Sequence, residues 1–362
     1  VRPPPGVSFR DGRLGSPSMR RAASLTSSRI RTIDVSALRG PKSPAAQHVA
    51  QELSSAFATD GFAVVVGHGV PPRTIEALRE AARSFFNQPL EAKAAYDLGK
   101  GYGFGGYVGA GRENGAQLLG DFTRPADLVE SLTLRGLGAS DDPAGGVASD
   151  QSALDGSPTD RGQPRMGFGG THRGPELPLP KAILGPAKSF IADSRSLSRA
   201  LTTAARLSLG VDPAELHALV DPEAAGCRLA NYPAQAKEAE AGQIRYGAHV
   251  DSGGITVLSL DPSNPAGLQV DLSHLGPDAD DGDRDWVDVP HVEGGLVCNV
   301  GALLSRWTQG RWLASVHRVL NGDASCQRIS IVTNALTPRP DGPPTIGFSS
   351  CVTDAGTGTG TG

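Results

Sequence analysis

The sequence predicts a mainly β fold with flanking helices. From Cys227 onward, short β-prone runs alternate with turn residues, as they do in a sandwich, jelly roll or barrel. The first half of the chain instead contains amphipathic segments whose apolar residues recur every three or four positions, the period of a helix. We therefore expect a β-rich core in the second half, wrapped by helices from the N-terminal half.

The N-terminal half begins with a predicted strand, helix, strand and helix. Residues 33–35 form the first strand candidate. Ser43 is a typical N-cap and Pro44 a typical first helical residue, so a helix is predicted from there to Gly61. A buried strand follows at 62–66, and a second helix runs from Pro71 and Pro72 to about residue 87. The residues predicted to share a face are Val49, Leu53 and Phe57 in the first helix and Ala77, Leu78, Ala81 and Phe85 in the second.

The second half of the chain is predicted to contain one helix followed by a series of short strands. A helix is predicted over 187–209, ended by Gly210. Strands are then predicted at 227–232, 255–260, 267–271, 286–289, 296–300 and 328–334. A second polar insertion at 277–285 interrupts this series.

Composition divides the chain into six segments. Residues 1–32 are an Arg- and Ser-rich tail, and 33–135 are the N-terminal region of helices and strands. A Gly-, Ser-, Asp- and Pro-rich stretch without periodicity, at 136–166, predicts a flexible insertion. Residues 167–224 are predicted to be helical, 225–340 to form the jelly-roll core, and 341–362 to be a low-complexity tail.

Charge and cysteine content restrict the partners and the compartment. The net charge of -4 and the pI near 6.1 give no basic field for nucleic acid or anionic lipid. No apolar run approaches the roughly 20 residues that a membrane span needs. The four cysteines are far apart and form no C-x-x-C pair, which is typical of intracellular proteins with reduced thiols. We expect an intracellular, cytoplasmic protein without nucleic-acid or membrane partners, and a monomer.

The N-terminal tail offers an alternative location. It contains seven arginines and one acid, Asp11, a composition typical of a mitochondrial or plastid transit peptide. A disordered basic tail is the other interpretation. In either case we expect residues 1–30 to be dispensable for folding and catalysis.

His249 and Asp251 are predicted metal ligands. Residues two apart in a strand point to the same side, so this imidazole and carboxylate can meet at one point. Two histidines and one carboxylate on one face of an octahedron leave three positions open, the arrangement of non-haem iron(II) oxygenases. The spacing alone is weak evidence, since His291 and Glu293 form a second such pair. That pair directly precedes a predicted Gly-Gly turn, and we do not expect it to bind metal.

His317 is the predicted third ligand. It lies in a strand-like run, 314–320, where a lone histidine is more often part of a core. Eleven residues later, Arg328 and Ser330 are again two apart and share a strand face. A guanidinium pairs with a carboxylate through two hydrogen bonds, and a hydroxyl adds a donor. This pair predicts a binding site for the far end of a dicarboxylate.

The order H-x-D, distant His and R-x-S resembles the isopenicillin N synthase-like 2-oxoglutarate and iron(II)-dependent oxygenases. The resemblance extends from about Ile33 to Pro338. His68 belongs to one of its motifs and is expected to be structural. The motifs are D-G-F at 60–62, G-H-G-V at 67–70, R-L at 228–229, Y-P at 232–233, G-L-Q-V at 267–270, W-V-D-V at 286–289, N-V-G at 299–301, W-T at 307–308, G-R at 310–311 and H-R-V at 317–319.

The resemblance implies a double-stranded β-helix, a distorted jelly roll, with the metal inside its open end. Its implied cofactors are Fe(II), 2-oxoglutarate as co-substrate and dioxygen, with ascorbate as a reductant. The implied metal ligands are His249, Asp251 and His317. The implied co-substrate residues are Arg328, Ser330 and Tyr232. The implied reaction oxidises a small organic molecule, usually by hydroxylation, and releases succinate and carbon dioxide.

Three other functions remain open at this point. An oxidase of the isopenicillin N synthase or aminocyclopropanecarboxylate oxidase kind shares the metal ligands and the R-x-S pair but uses no 2-oxoglutarate. A zinc hydrolase could use two histidines and an aspartate, but it would need a nearby Glu as general base. A jelly-roll protein that only binds ligands is the third.

Some positions depart from the family pattern, and these concern the substrate pocket. Ala302 follows N-V-G where relatives often have Asp, and Ala230 replaces a common polar residue near the co-substrate. The candidates for substrate contact are Tyr102, Phe104, Tyr107 and Arg112, in the Gly-rich run before the insertion.

Overall fold

The protein was analysed as a computed structural model. It describes residues 29–40, 43–98, 105–135, 137, 179–211, 226–235, 238–275, 279 and 281–336. The predicted insertion at 136–166, apart from residue 137, and the predicted tail at 341–362 lie outside these residues. So do residues 1–28 of the predicted N-terminal tail and both Tyr102 and Phe104.

The described residues form twelve strands and five α-helices. The helices are α1 (Pro44–Thr59), α2 (Pro72–Phe86), α3 (Leu90–Ala94), α4 (Lys181–Leu209) and α5 (Ala302–Trp307). The strands are β1 (Thr32–Asp34), β2 (Phe62–Val66), β3 (Gly106–Val108), β4 (Glu130–Leu134), β5 (Cys227–Tyr232), β6 (Tyr246–His249), β7 (Ile255–Ser259), β8 (Leu268–Asp271), β9 (Trp286–Asp288), β10 (Leu296–Val300), β11 (His317–Val319) and β12 (Arg328–Ala335). Short 3-10 helices lie at Ser36–Arg39, Gly115–Leu119 and Asp281–Asp283.

The strands form two sheets, as the jelly-roll prediction requires. Eight strands pair in the order β1-β2-β10-β7-β12-β5-β4-β3, and four pair in the order β6-β11-β8-β9. All pairs are antiparallel except β1 with β2. The fold class is confirmed, with the second sheet carrying both predicted histidine ligands.

Central strands of the large sheet are buried on both faces, and β2 and β10 are accordingly almost continuous apolar runs. In β2, Ala63 and Val65 pack into the cluster shared with α1, α2 and α4, whereas Phe62 and Val64 face the smaller sheet. This alternation follows from the two-residue period of a strand. The helices cover one face, and the other face is left to line the interior between the sheets.

Helices α1 and α2 confirm most of the predicted faces. The Ser43 hydroxyl accepts a hydrogen bond from the Ala46 amide at 3.1 Å, the geometry of an N-cap. In α2, Leu78 and Phe85 are buried, but Ala77 is exposed, and Ala82 is buried instead. The predicted face was therefore rotated slightly from the one that packs.

The fold begins earlier than the sequence predicted. Thr32 opens β1, Ile30 is 2% exposed in the inter-sheet core, and the Arg29 guanidinium pairs with Asp285 at 2.5 Å. The last residues of the predicted 1–32 tail thus belong to the folded part. In the described part of the chain, no helix combines the length and apolarity that a membrane crossing requires.

Candidate active site

The two histidines meet because β6 and β11 are paired. His249 ends β6 and His317 begins β11, and the two are direct cross-strand partners. The register shifts between His317 and Val319, a bulge of the kind that often re-aims a side chain at a functional site. The ring centroids lie 4.2 Å apart, and both rings are buried.

Both imidazoles are oriented by carbonyls two residues earlier. His249 Nδ1 lies 2.9 Å from the Gly247 carbonyl oxygen, and His317 Nδ1 lies 3.1 Å from that of Ser315. A hydrogen on Nδ1 satisfies each of these contacts and leaves Nε2 as a lone-pair donor, which is how metal-binding histidines are usually held. The two Nε2 atoms lie 3.6 and 3.8 Å from Asp251 Oδ1.

Asp251 reaches the site by a route that the strand argument did not foresee. β6 ends at His249, so Asp251 follows the strand instead of sharing a face within it. Its Oδ2 atom accepts hydrogen bonds from Thr256 Oγ1 at 2.6 Å and Asn299 Nδ2 at 2.7 Å. These bonds aim Oδ1 at the histidines, and the three candidate ligand atoms all lie within 4.8 Å of one another.

The loop after Asp251 is fixed by its backbone. The Ala302 amide donates to the Asp251 carbonyl at 2.6 Å, and the Gly301 amide donates to the Gly254 carbonyl at 2.7 Å. A Cβ atom on Gly301 would lie 2.3 Å from the Gly253 carbonyl oxygen. Only glycine permits so close an approach of two backbone segments. The carboxylate ligand is therefore attached to the start of α5.

The protonation states suit a divalent cation. Burial lowers the pKa of His317 to about 4 and so favours the neutral ring. Burial alone would raise the pKa of the Asp251 carboxyl, but the neighbouring His317 and His249 and the hydrogen bond from Thr256 outweigh it and lower that pKa. Two imidazoles and one carboxylate match the donor set of a non-haem iron(II) site, so the residues present fit the metal.

The predicted co-substrate residues lie on adjacent strands of the large sheet. Arg328 in β12 is the cross-strand partner of Tyr232 in β5, and Ser330 is the partner of Ala230. All four are buried, and the Arg328 guanidinium carbon lies 5.4 Å from the centre of the Tyr232 ring. Because the side chain of Ala230 has no polar atom, it offers the Ser330 hydroxyl no hydrogen-bond partner.

Several polar atoms here have no partner in the described part of the chain. Arg328 Nη1 donates to the Ala266 carbonyl at 2.7 Å, but Nε, Nη2 and the Ser330 hydroxyl make no hydrogen bond there. Buried donors left unpaired are costly. An anion between Arg328 and Ser330 would satisfy all three, so this end of the site fits a carboxylate.

One cavity joins the metal ligands to the co-substrate residues. Among its polar neighbours is Arg228, whose Nη2 donates to Glu113 Oε2 at 2.5 Å and whose guanidinium carbon lies 5.1 Å from the Tyr246 ring centre. The cavity is lined by the three ligands, by Arg228, Tyr232, Tyr246, Thr256, Asn299, Arg328, Ser330 and Asn334, and by the apolar Phe62, Leu258, Leu268, Val319 and Val332.

The remaining predicted histidines lie away from the ligands. His68 is buried and structural, as expected: its Nε2 donates to the Gly294 carbonyl at 2.8 Å, and its Nδ1 accepts from the Val70 amide at 3.1 Å. His291 and Glu293 are exposed and are not part of the ligand cluster.

Two candidates for substrate contact are placed elsewhere. The Tyr107 hydroxyl donates to Glu130, and its ring packs on Phe85 in the helix-side core. Arg112 pairs with Asp97 near the surface. Neither borders the cavity: Tyr107 lies in β3, the edge strand of the large sheet, and Arg112 follows that strand.

Arg228 was predicted only as part of a motif, although the strand period already indicates that it lines the site. Arg228 is two and four residues before Ala230 and Tyr232 in one strand, so it faces the same interior. Asn299 belongs to the N-V-G motif, but its hydrogen bond to Asp251 was not predicted. Nothing in the sequence around Thr256 indicates that it also contacts Asp251. Glu113 lies in a loop, and nothing in its surroundings in the sequence indicates its contact with Arg228.

Two family models match this chain. The model described as "non-haem dioxygenase in morphine synthesis N-terminal" matches residues 30–153, and the "2OG-Fe(II) oxygenase superfamily" model matches residues 224–335. Together these segments account for more than half of the sequence, and the second contains all three candidate ligands. The chain belongs to the 2-oxoglutarate and iron(II)-dependent oxygenase family.

Curated relatives are similar in sequence over most of this chain. The 2-oxoglutarate-dependent dioxygenase caaD of Aspergillus niger is 26% identical over 325 residues, 87% of this chain and 89% of that protein. The homoarginine-6-hydroxylase 2-ODD-C23 of Glycine max is 28% identical, over 80% of this chain and 77% of that protein. The validamycin A dioxygenase of Streptomyces hygroscopicus subsp. limoneus is 26% identical, over 83% and 74%.

Solved structures share the fold. A full-length Neurospora crassa protein, crystallised in complex with alpha-KG, superimposes with a TM-score of 0.63 at 24% identity, covering 85% of this chain and 84% of that one. A 2OG-Fe(II) oxygenase family protein from Caulobacter crescentus gives 0.61 at 24% identity, covering 86% and 87%. The chain is a 2-oxoglutarate-dependent dioxygenase that uses Fe(II) and dioxygen, which favours the co-substrate-dependent reaction over the oxidase alternative.

Proposed function

We propose that His249, Asp251 and His317 hold the iron and that Arg328, Ser330 and Tyr232 bind 2-oxoglutarate in the hydroxylation of a small organic molecule. The observation that carries this assignment is that buried donor atoms of Arg328 and Ser330, in the same cavity as the three ligand atoms, have no hydrogen-bond partner among the described residues. When bound, the iron activates dioxygen, with 2-oxoglutarate oxidised to succinate and carbon dioxide.

The chain's own residues hold and orient these partners. Arg328 and Ser330 would bind the carboxylate far from the metal, with two guanidinium hydrogen bonds and one from the hydroxyl. Phe62, edge-on to His317 with ring centroids 5.3 Å apart, covers one side of the metal site and limits the entry of water. The hydrogen bonds from Thr256 and Asn299 keep Asp251 turned towards the cavity.

We propose further that the substrate is polar. Arg228 and Asn334 both border the cavity, and a purely apolar substrate would cover polar atoms of these side chains without offering them a hydrogen-bond partner. The names of the relatives range from validamycin A to homoarginine, so they do not restrict the substrate to one class. A library of polar small molecules, screened for oxygen- and 2-oxoglutarate-dependent succinate release, tests this.

Replacement of Arg328 tests the co-substrate assignment. Removing one partner of a buried ion pair costs roughly 3–5 kcal/mol, so Arg328→Ala should raise the Kd for 2-oxoglutarate about 100- to 4,000-fold. Arg328→Lys keeps the charge but loses the fork and should fall in between. The measurement is calorimetric titration of the metal-loaded protein without oxygen, with metal content determined in parallel.

Arg318→Ala is the matched control. Arg318 is adjacent in sequence to a ligand, but its guanidinium lies 3.9 Å from the Trp286 ring centre and binds Asp281 at 2.9 Å, outside the cavity. The Arg318→Ala variant should bind 2-oxoglutarate with the same Kd as the parent protein. An unchanged affinity in Arg328→Ala would contradict the assignment.

A further inference from the structure

A second buried arginine lies beside the co-substrate residues. Arg245 directly precedes β6, and both Arg245 and Arg328 are 0% exposed. Their guanidinium carbons lie 5.8 and 5.4 Å from the centre of the same ring, that of Tyr232. Arg245 itself is not among the residues that border the cavity. Two guanidinium groups thus lie near Tyr232, one lining the cavity and one outside its lining.

Neither arginine forms a direct ion pair with a carboxylate within the described ranges, although the charge of Asp261 partly offsets the lowering of the Arg328 pKa by burial, and that of Asp323 does the same for Arg245. Arg245 Nη2 donates to the carbonyls of Asp323 at 2.9 Å and Cys326 at 3.1 Å, while Nε and Nη1 make no hydrogen bond there. Burial, and then the charge of Arg328, lowers the pKa of Arg245. Both groups nevertheless stay protonated, because arginine has so high a pKa to begin with.

Two like charges taken out of water together are costly unless an anion compensates them. We propose that Arg245 is a second cation of the co-substrate site, which attracts the distal carboxylate of 2-oxoglutarate through its field without touching it. This inference depends on the proposed role of Arg328 as the direct anchor. It predicts that the site discriminates strongly in favour of 2-oxo acids that carry a second carboxylate.

A purely structural role for Arg245 can be separated from this one. Asn264 Nδ2 donates to the same two carbonyls, of Asp323 at 2.9 Å and Cys326 at 3.2 Å. Asn264 therefore fixes the same loop before β12 but carries no charge. Asn264→Ala removes the loop contact alone, whereas Arg245→Gln removes the charge as well.

The experiment measures Kd values for the metal-loaded protein without oxygen, with two ligands. These are 2-oxoglutarate and 2-oxobutyrate, which has the same keto acid end but no distal carboxylate. Removing a unit charge that lies roughly 10 Å from the distal carboxylate, at an effective dielectric constant of about 20, should raise the Kd for 2-oxoglutarate about 10- to 20-fold. Arg245→Gln should weaken 2-oxoglutarate binding by that factor and leave 2-oxobutyrate binding within about 2-fold.

The controls give distinct outcomes. Arg245→Lys keeps the charge and should bind 2-oxoglutarate nearly as the parent does, and so should Asn264→Ala. If Arg245→Gln does not fold, as judged by thermal melting, Arg245→Met replaces it, since it fills a similar volume without leaving an amide unpaired.

Three results would overturn the inference: an unchanged 2-oxoglutarate Kd in Arg245→Gln, an equal loss in Asn264→Ala, or an equal loss for both ligands. Failure of the parent protein to bind 2-oxoglutarate at all would instead contradict the proposed function.

Discussion

At the scale of single residues, the site depends on how each ligand atom is aimed. His249 and His317 each hold Nδ1 against a carbonyl two residues earlier, and Asp251 is turned by Asn299 and Thr256. Such supporting hydrogen bonds typically change metal affinity 10- to 100-fold. The ligand set is thus prearranged by neighbours that do not bind the metal themselves.

Removing a ligand should abolish the metal site. His317→Ala leaves two of three ligand atoms, so we expect severe loss of iron and no turnover, measured by metal analysis and succinate release. His291→Ala is the matched control, because His291 belongs to the other H-x-acid pair and is exposed. Full iron content in His317→Ala would show that another residue completes the site.

Some of these site residues could be predicted from the sequence and others could not. The types and order of His249, Asp251 and His317 indicated their chemistry, although the assumption that Asp251 shares a strand with His249 was wrong. The contact between Glu113 and Arg228 joins residues 115 positions apart. Such a contact depends on how the loop folds over the sheet, which no local spacing encodes.

At the scale of elements, strands were easier to locate than to pair. β5 and β10 have the predicted bounds, because each is a short β-prone run flanked by turn residues. The pairing of β6 with β11, which brings the histidines together, joins segments about 70 residues apart and includes a bulge. Register of this kind is set by packing across both sheets, so the sequence alone did not provide it.

His68 should make stability depend on pH. It anchors the turn between β2 and α2, and its Nδ1 must be unprotonated to accept the Val70 hydrogen. Burial lowers its pKa below the ordinary 6.5, so the unfolded chain binds the proton more tightly. Neutral His68 therefore contributes to the free energy of unfolding above about pH 6.5. This contribution is lost as the pH falls below that value, by up to about 1.4 kcal/mol per pH unit.

The measurement is denaturant unfolding between pH 7.5 and 5.5. His68→Gln should have a shallower dependence of unfolding free energy on pH than the parent. His48→Gln, on the exposed side of α1, controls for the loss of any histidine. Parallel curves for the parent and His68→Gln would refute this account.

At the scale of the whole molecule, the N-terminal boundary of the fold can be tested by shortening. A chain beginning at Ser28 should keep the melting temperature and iron content of the full chain, since the residues removed have the composition of a tail. A chain beginning at Thr32 loses Ile30 from the inter-sheet core and the Arg29–Asp285 pair. Burial of one isoleucine contributes roughly 1.5–3 kcal/mol, so its melting temperature should drop by several degrees.

Equal melting temperatures for the two shortened chains would mean that Ile30 contributes nothing. Loss of the folded protein on starting at Ser28 would mean instead that the fold needs residues before it. The sequence misjudged this boundary by a few positions because one buried side chain at the end of a basic segment leaves no periodic pattern.

The backbone contact between the loop after Asp251 and the start of α5 bears on how this enzyme could be re-engineered. Substituting Gly301 would displace a metal ligand, because any side chain there meets the Gly253 carbonyl. Val332 and Asn334, by contrast, project into the cavity from a strand whose hydrogen bonds do not depend on their side chains. Libraries that vary Val332 and Asn334 and leave the glycines unchanged can therefore alter which substrates bind, while the metal ligands and the co-substrate residues stay in place.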